Sequence, residues 1–219
     1  MRLKSMLALT AIGVLGALSL PPAASAEGWD IDPQKGQFPL QFTINGGALI
    51  WTTSSFSIQC NSVTGVGQYE TATTGKLRLT IHGCQISGSS CTTPGQPAGT
   101  ITTPEMGFHN IFLEPGKTKP GILITANEGI FASFGCSAFT GFSGNGVISE
   151  LSSSQCGKAG NTATTFYESS APGVQKWTQI ETEGTKYDLS VNLFGGSKQT
   201  LAFDGSTTFT FAENAEFTC

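Results

Sequence analysis

Residues 76–82 have the sequence Lys76-Leu77-Arg78-Leu79-Thr80-Ile81-His82, in which polar and apolar side chains alternate strictly. A period of two is typical of an antiparallel strand with one face buried and the other in water. A slip of one residue would bury two cations, so the register of this strand is well specified. The stretch predicts a half-buried β-strand whose three aliphatic side chains point inward.

The same alternation recurs along the chain, and no helical stripe of comparable clarity follows residue 26. Glycine and asparagine turns separate the alternating runs at short intervals, as in all-β sandwiches and barrels. The predicted inward-facing sets are Leu40, Phe42 and Ile44; Phe56, Ile58 and Cys60; Ile130, Ala132, Phe134, Cys136 and Ala138; Tyr187, Leu189, Val191 and Leu193; and Phe209 and Phe211. We expect a single all-β domain that is an antiparallel β-sandwich or a flattened β-barrel.

The N-terminal segment 1–26 has the organisation of an export signal. Arg2 and Lys4 precede an apolar run over residues 6–20, and small residues end the segment at Ala26. A membrane anchor is the alternative, but the run falls short of the roughly 20 residues that a spanning helix needs. We therefore predict a signal peptide over 1–26, one domain over 27–219, and a secreted, extracellular or cell-envelope location.

The composition restricts the class of partner. Charged residues make up 12% of the chain and the formal net charge is −4. Few cations are available to neutralise phosphates, which disfavours nucleic acid. A hydrophobic content of 38% with 15 phenylalanines indicates a packed core rather than disorder.

All the cysteines follow the signal segment, and they are Cys60, Cys84, Cys91, Cys136, Cys156 and Cys219. An even number of cysteines in an exported chain predicts disulfides, although their pairing stays open. Cys84 and Cys91 flank a short polar turn, so a bridge between them is one candidate. A zinc site is disfavoured because there is no Cys-x-x-Cys and only two histidines. We expect no metal and no cofactor.

A hydrolase is the weakest of the functional alternatives. The nearest approach to a serine nucleophile motif is Gly141-Phe142-Ser143-Gly144-Asn145, which lacks the final glycine and a following helix. We interpret His82, on the polar face of its strand, and His109 as structural residues rather than catalytic bases.

Carboxylate pairs are the other candidate for catalysis, because a glycosidase needs two such groups beside one bond. The close pairs are Asp30 with Asp32 and Glu181 with Glu183. Both lie in polar segments where solvated carboxylates are ordinary, and the first pair lacks the oxygen ligands that calcium requires. No catalytic residue is predicted, and we expect the chain not to be an enzyme.

Two tryptophans are candidates for stacking on sugar rings. Trp51 and Tyr187 lie among apolar neighbours and are expected in the core. Trp29 and Trp177 lie in polar surroundings, so they are the candidate ligand-binding residues. Covering an edge or an open end of the sheet is the role that we favour for both.

The chain resembles a family of uncharacterised exported proteins that is common in high-GC Gram-positive bacteria. The resemblance is carried by residues 62–69 (SVTGVGQY), 74–84 (TGKLRLTIHGC) and 90–103 (SCTTPGQPAGTITT), with further likeness near residues 134–136 and 194–196. It implies export and a β-rich fold, but no activity or site residues. It also implies that four cysteines are shared and that Cys156 and Cys219 are additions. On that basis the expected pairs are Cys156 with Cys219 and Cys60 with Cys136.

These features predict a secreted or cell-surface β-domain that acts by interaction or as a structural protein. Its partner is expected to be an extracellular protein or an envelope component, without a stable membrane span in the mature chain. The alternative is an extracellular module that binds carbohydrate or a small apolar ligand.

Overall fold

A computed structural model of the chain describes residues 28–219 except 115, 117, 137, 138, 181–184, 194 and 195. The predicted signal segment 1–26 lies outside the described residues, as do Glu181, Glu183 and Ala138. The described chain is one all-β domain, as the alternating pattern predicts. No helix within it is long and apolar enough to cross a membrane.

The described residues form nineteen strands and two short 3-10 turns. The strands are β1 (Asp30–Pro33), β2 (Leu40–Gly46), β3 (Leu49–Thr52), β4 (Ser57–Cys60), β5 (Ser62–Tyr69), β6 (Thr74–His82), β7 (Gln85–Ile86), β8 (Ser89–Ser90), β9 (Ile101–Thr102), β10 (Met106–Phe112), β11 (Pro120–Ala126), β12 (Ile130–Cys136), β13 (Phe139–Gly144), β14 (Val147–Leu151), β15 (Ala159–Tyr167), β16 (Ser169–Ala171), β17 (Val174–Gln175), β18 (Leu189–Leu193) and β19 (Lys198–Thr218). The 3-10 turns are Asn127–Gly129 and Ser153–Gln155.

Eight of these strands close into an antiparallel barrel. The ring runs β2, β5, β6, β10, β11, β14, β15 and β19, and β19 then pairs with β2. Because β19 is 21 residues long, it closes the barrel with its middle and also pairs with β1 near its C-terminal end. Of the two predicted architectures, the barrel is the one present.

The alternating stretch that indicates the fold class forms β6. Leu77 and Ile81 are buried and Leu79 is half-buried, while Arg78 is exposed. The strand pairs with β5 from Ser62–His82 to Tyr69–Gly75 without a register shift. The predicted orientation of this strand is therefore confirmed.

One predicted inward-facing set needs a correction. Ala132, Phe134 and Cys136 are buried as expected, but Ile130 is 44% exposed and Phe131 is buried instead. The register between β12 and β13 shifts between Ile130 and Ala132. Since an irregularity of this kind breaks the alternation of faces, the side chain before it points outward.

A second sheet covers one end of the barrel. Its order is β12, β13, β18, the N-terminal part of β19, β3, β4, β7 and β8. Trp51 of β3 packs edge-to-face on Phe142 of β13, with ring centroids 4.5 Å apart. We call this sheet the cap.

Three disulfides join Cys60 to Cys84, Cys91 to Cys136 and Cys156 to Cys219. The last pair agrees with the expectation from the family resemblance.

The other two predicted pairs, Cys84 with Cys91 and Cys60 with Cys136, are wrong. The hairpin β7–β8 pairs with β4 through Gln59–Gln85, and Thr92, two residues after β8, is bridged to Gly135 of β12. Each cysteine beside the hairpin is therefore bridged to a neighbouring strand, and not across the hairpin.

Candidate binding surface

The interior of the barrel is filled by side chains. At one end Phe42 makes ring contacts with Tyr69, Phe108, Phe209 and Phe211, at centroid distances of 5.1–5.9 Å. At the capped end, the described residues enclose an apolar cavity of about 40 Å³. That volume is far below the roughly 300 Å³ of the smallest common ligand pockets. The lumen as described therefore has no room for a drug-sized or lipid-sized ligand.

Trp29 lies inside this packing and not on the surface. Its side chain is 1% exposed, and its Nε1 donates a hydrogen bond to the Gly121 carbonyl oxygen at 2.8 Å. Its ring is 6.0 Å from that of Phe217. A buried ring offers no free face to a sugar, so Trp29 has a packing role in this fold.

Trp177 lies on the outer side of the barrel and is half-buried. It packs on a small apolar cluster that is separate from the main core and consists of Ile111, Leu113, Leu123, Ile148 and Ile180. Its Nε1 donates to Oε2 of Glu150 at 3.2 Å. The ring is thus fixed in position on the barrel wall.

Charged side chains surround the Trp177 ring. The Nζ atoms of Lys119 and Lys176 lie 5.0 and 5.6 Å from the ring centroid. Glu150 lies within 4 Å of both lysines, Glu114 pairs with Lys119, and Glu168 pairs with Lys176. The hydrogen bond that Lys176 donates to Glu168 raises the pKa of Lys176. A sugar stacking on this ring would compete with the lysines of the protein itself.

Ser143, the serine of the incomplete hydrolase motif, is buried on β13. Its Oγ donates to Oδ1 of Asn192 at 2.9 Å and lies 3.3 Å from Oγ of Ser190. An amide oxygen does not act as a general base in the way that an imidazole does. These contacts account for Ser143 as a structural cross-link between β13 and β18.

The remaining predicted polar residues lie apart from one another. His82 is half-buried on β6, with its Nε2 3.3 Å from Oγ1 of Thr64, and His109 is half-buried on β10. Asp30 and Asp32 share the exposed face of β1. Within the part of the chain that the structure describes, no group of three or more His, Cys, Asp or Glu side chains is placed to hold a metal ion.

The structure also forms a groove that the sequence does not reveal. It has a volume of about 540 Å³ and crosses the outer face of β19, β2, β5 and β6. One wall follows the register Thr210–Thr43–Val66–Arg78, and the other follows Gln41–Gln68–Lys76. We call this feature the cross-strand groove. Sequence alternation places these residues outward on separate strands but cannot align them in rows.

The two cations of the cross-strand groove differ in their surroundings. Lys76 lies 3.0 Å from Glu70 and 4.0 Å from Glu105, and the hydrogen bond that it donates to Glu70 raises the pKa of Lys76. Arg78 is exposed and forms no ion pair or hydrogen bond with any described residue. Beside it, Val66 is 61% exposed, the most exposed large apolar side chain of the described chain.

No family model, curated protein or solved structure matches this chain. The resemblance to exported proteins of high-GC Gram-positive bacteria stays a prediction.

Proposed function

We propose that this chain is an exported, non-enzymatic β-domain that binds an extracellular protein or an envelope component through the outer surface of its barrel. The observation that carries the proposal is the filled lumen, whose cavity of about 40 Å³ leaves the outer surface as the place for recognition. The recesses large enough for a partner's side chains or sugars, including the cross-strand groove, lie on the outside.

Export is supported by two features of the chain. Residues 1–26 have the order of charged, apolar and small residues that secretion signals share. The three disulfides suit an oxidising compartment, because cytosolic thiols are kept reduced.

Compartment fractionation with thiol alkylation tests this part of the proposal. Cells are quenched with an alkylating agent, and the protein is analysed by mass spectrometry in the cytoplasmic, envelope and culture-medium fractions. We expect a chain that lacks residues 1–26, lies outside the cytoplasm and has all six cysteines protected. A cytoplasmic protein with reduced, alkylated cysteines contradicts the proposal.

A co-sedimentation assay with isolated cell envelopes tests whether the partner binds to the outer surface or inside the barrel. Val66→Glu and Trp177→Ala change the outer surface, whereas Val147→Ile adds one methyl group to the capped cavity, which Val147 lines. We expect envelope binding to fall in Val66→Glu or Trp177→Ala and to be unchanged in Val147→Ile. Loss of binding in Val147→Ile alone would instead place the site in the lumen.

Carbohydrate binding at Trp177 is the second candidate, favoured by a half-buried ring on the outer wall of the barrel, and it requires the sugar to displace Lys119 and Lys176 from that ring. A glycan array with the wild type, Trp177→Ala and Trp177→Phe tests it. A sugar that stacks on the ring is expected to bind the wild type and the phenylalanine variant but not the alanine variant. Equal binding by all three variants excludes this site.

A further inference from the structure

We propose that the cross-strand groove binds a carboxylate-bearing glycan, with Arg78 as the residue that holds the carboxylate. This inference rests on the proposed function, because it assigns the binding role to the outer surface of the barrel. It names a place on that surface and the chemical class of the partner.

Two glycines of β5 bring this strand close to the core, and one of them, Gly67, lines the groove. Gly65 and Gly67 occupy inward-facing positions of β5, between the buried Val63 and Tyr69. A Cβ on Gly67 would lie 2.5 Å from Cζ of Phe42, and a Cβ on Gly65 would lie 2.8 Å from Cδ2 of Leu79. Without side chains at these positions, β5 lies close against the core, and Gly67 forms part of the groove floor together with Phe42 and Leu77.

The charges in the groove leave one cation available. Lys76 is paired with two carboxylates, Glu70 and Glu105, the second of which also lines the groove, whereas Arg78 forms no ion pair with a described residue. A guanidinium group presents its donors in a fixed fork that matches the two oxygens of a carboxylate. The groove therefore complements a ligand that carries a carboxylate at one point and neutral polar groups elsewhere.

The neutral part of the lining suits sugar hydroxyl groups. Gln41 and Gln68 each carry an amide donor and an amide acceptor, and Thr43 and Thr210 each carry a hydroxyl group. Hydroxyl groups of a sugar also donate and accept, and the exposed Val66 can cover the apolar face of a ring. The groove crosses four strands, and three spacings of roughly 4.8 Å give about 14 Å, so an oligosaccharide fits better than a single sugar.

A peptide suits this groove less well. Peptides commonly bind sheets by adding a strand to a free edge. Here β2 is paired on both sides with β19 and β5, and β5 is paired on both sides with β2 and β6. Their backbone donors and acceptors are used within the barrel, so a peptide crossing these strands would have only side chains to satisfy its own backbone.

Calorimetry with oligogalacturonate, a carboxylated glycan, tests the inference on the purified protein with its disulfides formed. The fully methyl-esterified oligomer is the matched ligand control, because it keeps the sugar chain and removes the charge. Poly-L-glutamate is the second comparison ligand, because it carries carboxylates on a peptide instead of a sugar chain. The protein variants are Arg78→Ala, Arg78→Lys and Val66→Glu, with Lys158→Ala, an exposed lysine outside the groove, as the charge control.

We expect oligogalacturonate to bind the wild type and Lys158→Ala equally, and to bind Arg78→Ala roughly tenfold to a hundredfold more weakly, the effect of losing hydrogen bonds to a charged group. Arg78→Lys keeps the charge but not the fork, so an intermediate loss is expected. Val66→Glu places a carboxylate opposite Arg78 and should weaken binding as Arg78→Ala does. The methyl ester should bind weakly to every variant.

Equal affinities for Arg78→Ala and Lys158→Ala, undiminished binding of the methyl ester, or no binding of oligogalacturonate would overturn the inference. Tighter binding of poly-L-glutamate would also overturn it, in favour of an acidic peptide. The proposed function is tested separately. If envelope binding is lost in Trp177→Ala but kept in Val66→Glu, the groove inference fails while the outer-surface proposal stands.

Discussion

At the scale of single residues, a buried polar pair joins three parts of the chain. The Tyr69 hydroxyl donates to Oδ1 of Asn110 at 2.9 Å. Nδ2 of Asn110 donates to the carbonyl oxygens of Trp29 at 3.0 Å and Ala72 at 3.3 Å. Asn110 is fully buried, and these bonds satisfy its amide group. They hold the segment before β1 and the β5–β6 turn against β10.

Burial also makes the stability of this protein sensitive to alkaline pH. It raises the pKa of Tyr69 and Tyr167 above the value of about 10 that an exposed tyrosine has. The folded state therefore keeps protons that the unfolded chain loses. The contribution is fully present below about pH 10 and is lost as the pH rises further.

We predict that the free energy of unfolding falls above about pH 10, by up to about 1.4 kcal/mol per pH unit for each buried tyrosine. Urea unfolding followed by near-UV circular dichroism between pH 8 and pH 11 measures this slope. Tyr69→Phe removes one of the two groups and should reduce the slope by about half. A slope unchanged in Tyr69→Phe would show that Tyr69 does not govern the alkaline loss of stability.

At the scale of elements, β5 shows how small side chains shape a barrel wall. Its inward positions are Val63, Gly65, Gly67 and Tyr69, so the middle of the strand carries no side chain. Phe42 of β2 and Leu77 of β6 are the register partners of Gly67, and the ring of Phe42 occupies the space beneath it. Both glycines serve the packing of this strand, and Gly67 also forms part of the floor of the cross-strand groove.

We predict that Gly67→Ala destabilises the protein by about 1–3 kcal/mol, because the new Cβ overpacks the core against Phe42 and the Lys76 carbonyl oxygen. Gly47→Ala is the control, since its Cβ would meet no atom within 4 Å. It should change stability by no more than about 0.5 kcal/mol. Chemical denaturation measures both.

Phe42→Leu offers a second check on the same mechanism. In that background Gly67→Ala should lower the free energy of unfolding by less than in the wild type, because the Phe42 ring that the new Cβ would overlap is absent. The recovery should be partial, since the Lys76 carbonyl oxygen stays in place. Equal costs in the two backgrounds would contradict a clash with Phe42.

At the scale of the whole molecule, the disulfides of the cap and the disulfide at the chain end differ in how deeply their cysteines are buried. The cap contains Cys60–Cys84 and Cys91–Cys136, and all four of these cysteines are no more than 2% exposed. Cys156–Cys219 joins a 3-10 turn to the end of the chain, and Cys219 is exposed. Access of a reductant to sulfur therefore differs between the cap and the chain end.

We predict that Cys156–Cys219 is reduced first under native conditions, before either bridge of the cap. Stepwise reduction, alkylation and peptide mapping measure the order. In denaturant, where every bridge is accessible, the three rates should converge. Early labelling of Cys60, Cys84, Cys91 or Cys136 in the folded protein would contradict the predicted order.

Sequence alternation alone determined the fold class and the inward set of β6, because the two-residue period of a strand is a local property. Closure of the barrel depends on β19 pairing with β2, which lies more than 150 residues earlier in the chain. The choice between sandwich and barrel was for that reason open. The predicted cysteine pairs of the cap were wrong for the same reason, because a disulfide depends on which strands are neighbours in the fold.

The sequence by itself therefore determined the β character of the chain, the facing of Leu77 and Ile81, and a disulfide framework. Only the tertiary structure decided that Trp29 is buried, that charged side chains surround Trp177, and that Arg78 lies in a groove where no described residue pairs with it. Each of these depends on the register between strands far apart in the chain. Local alternation says which face a side chain is on, but not what lies beside it.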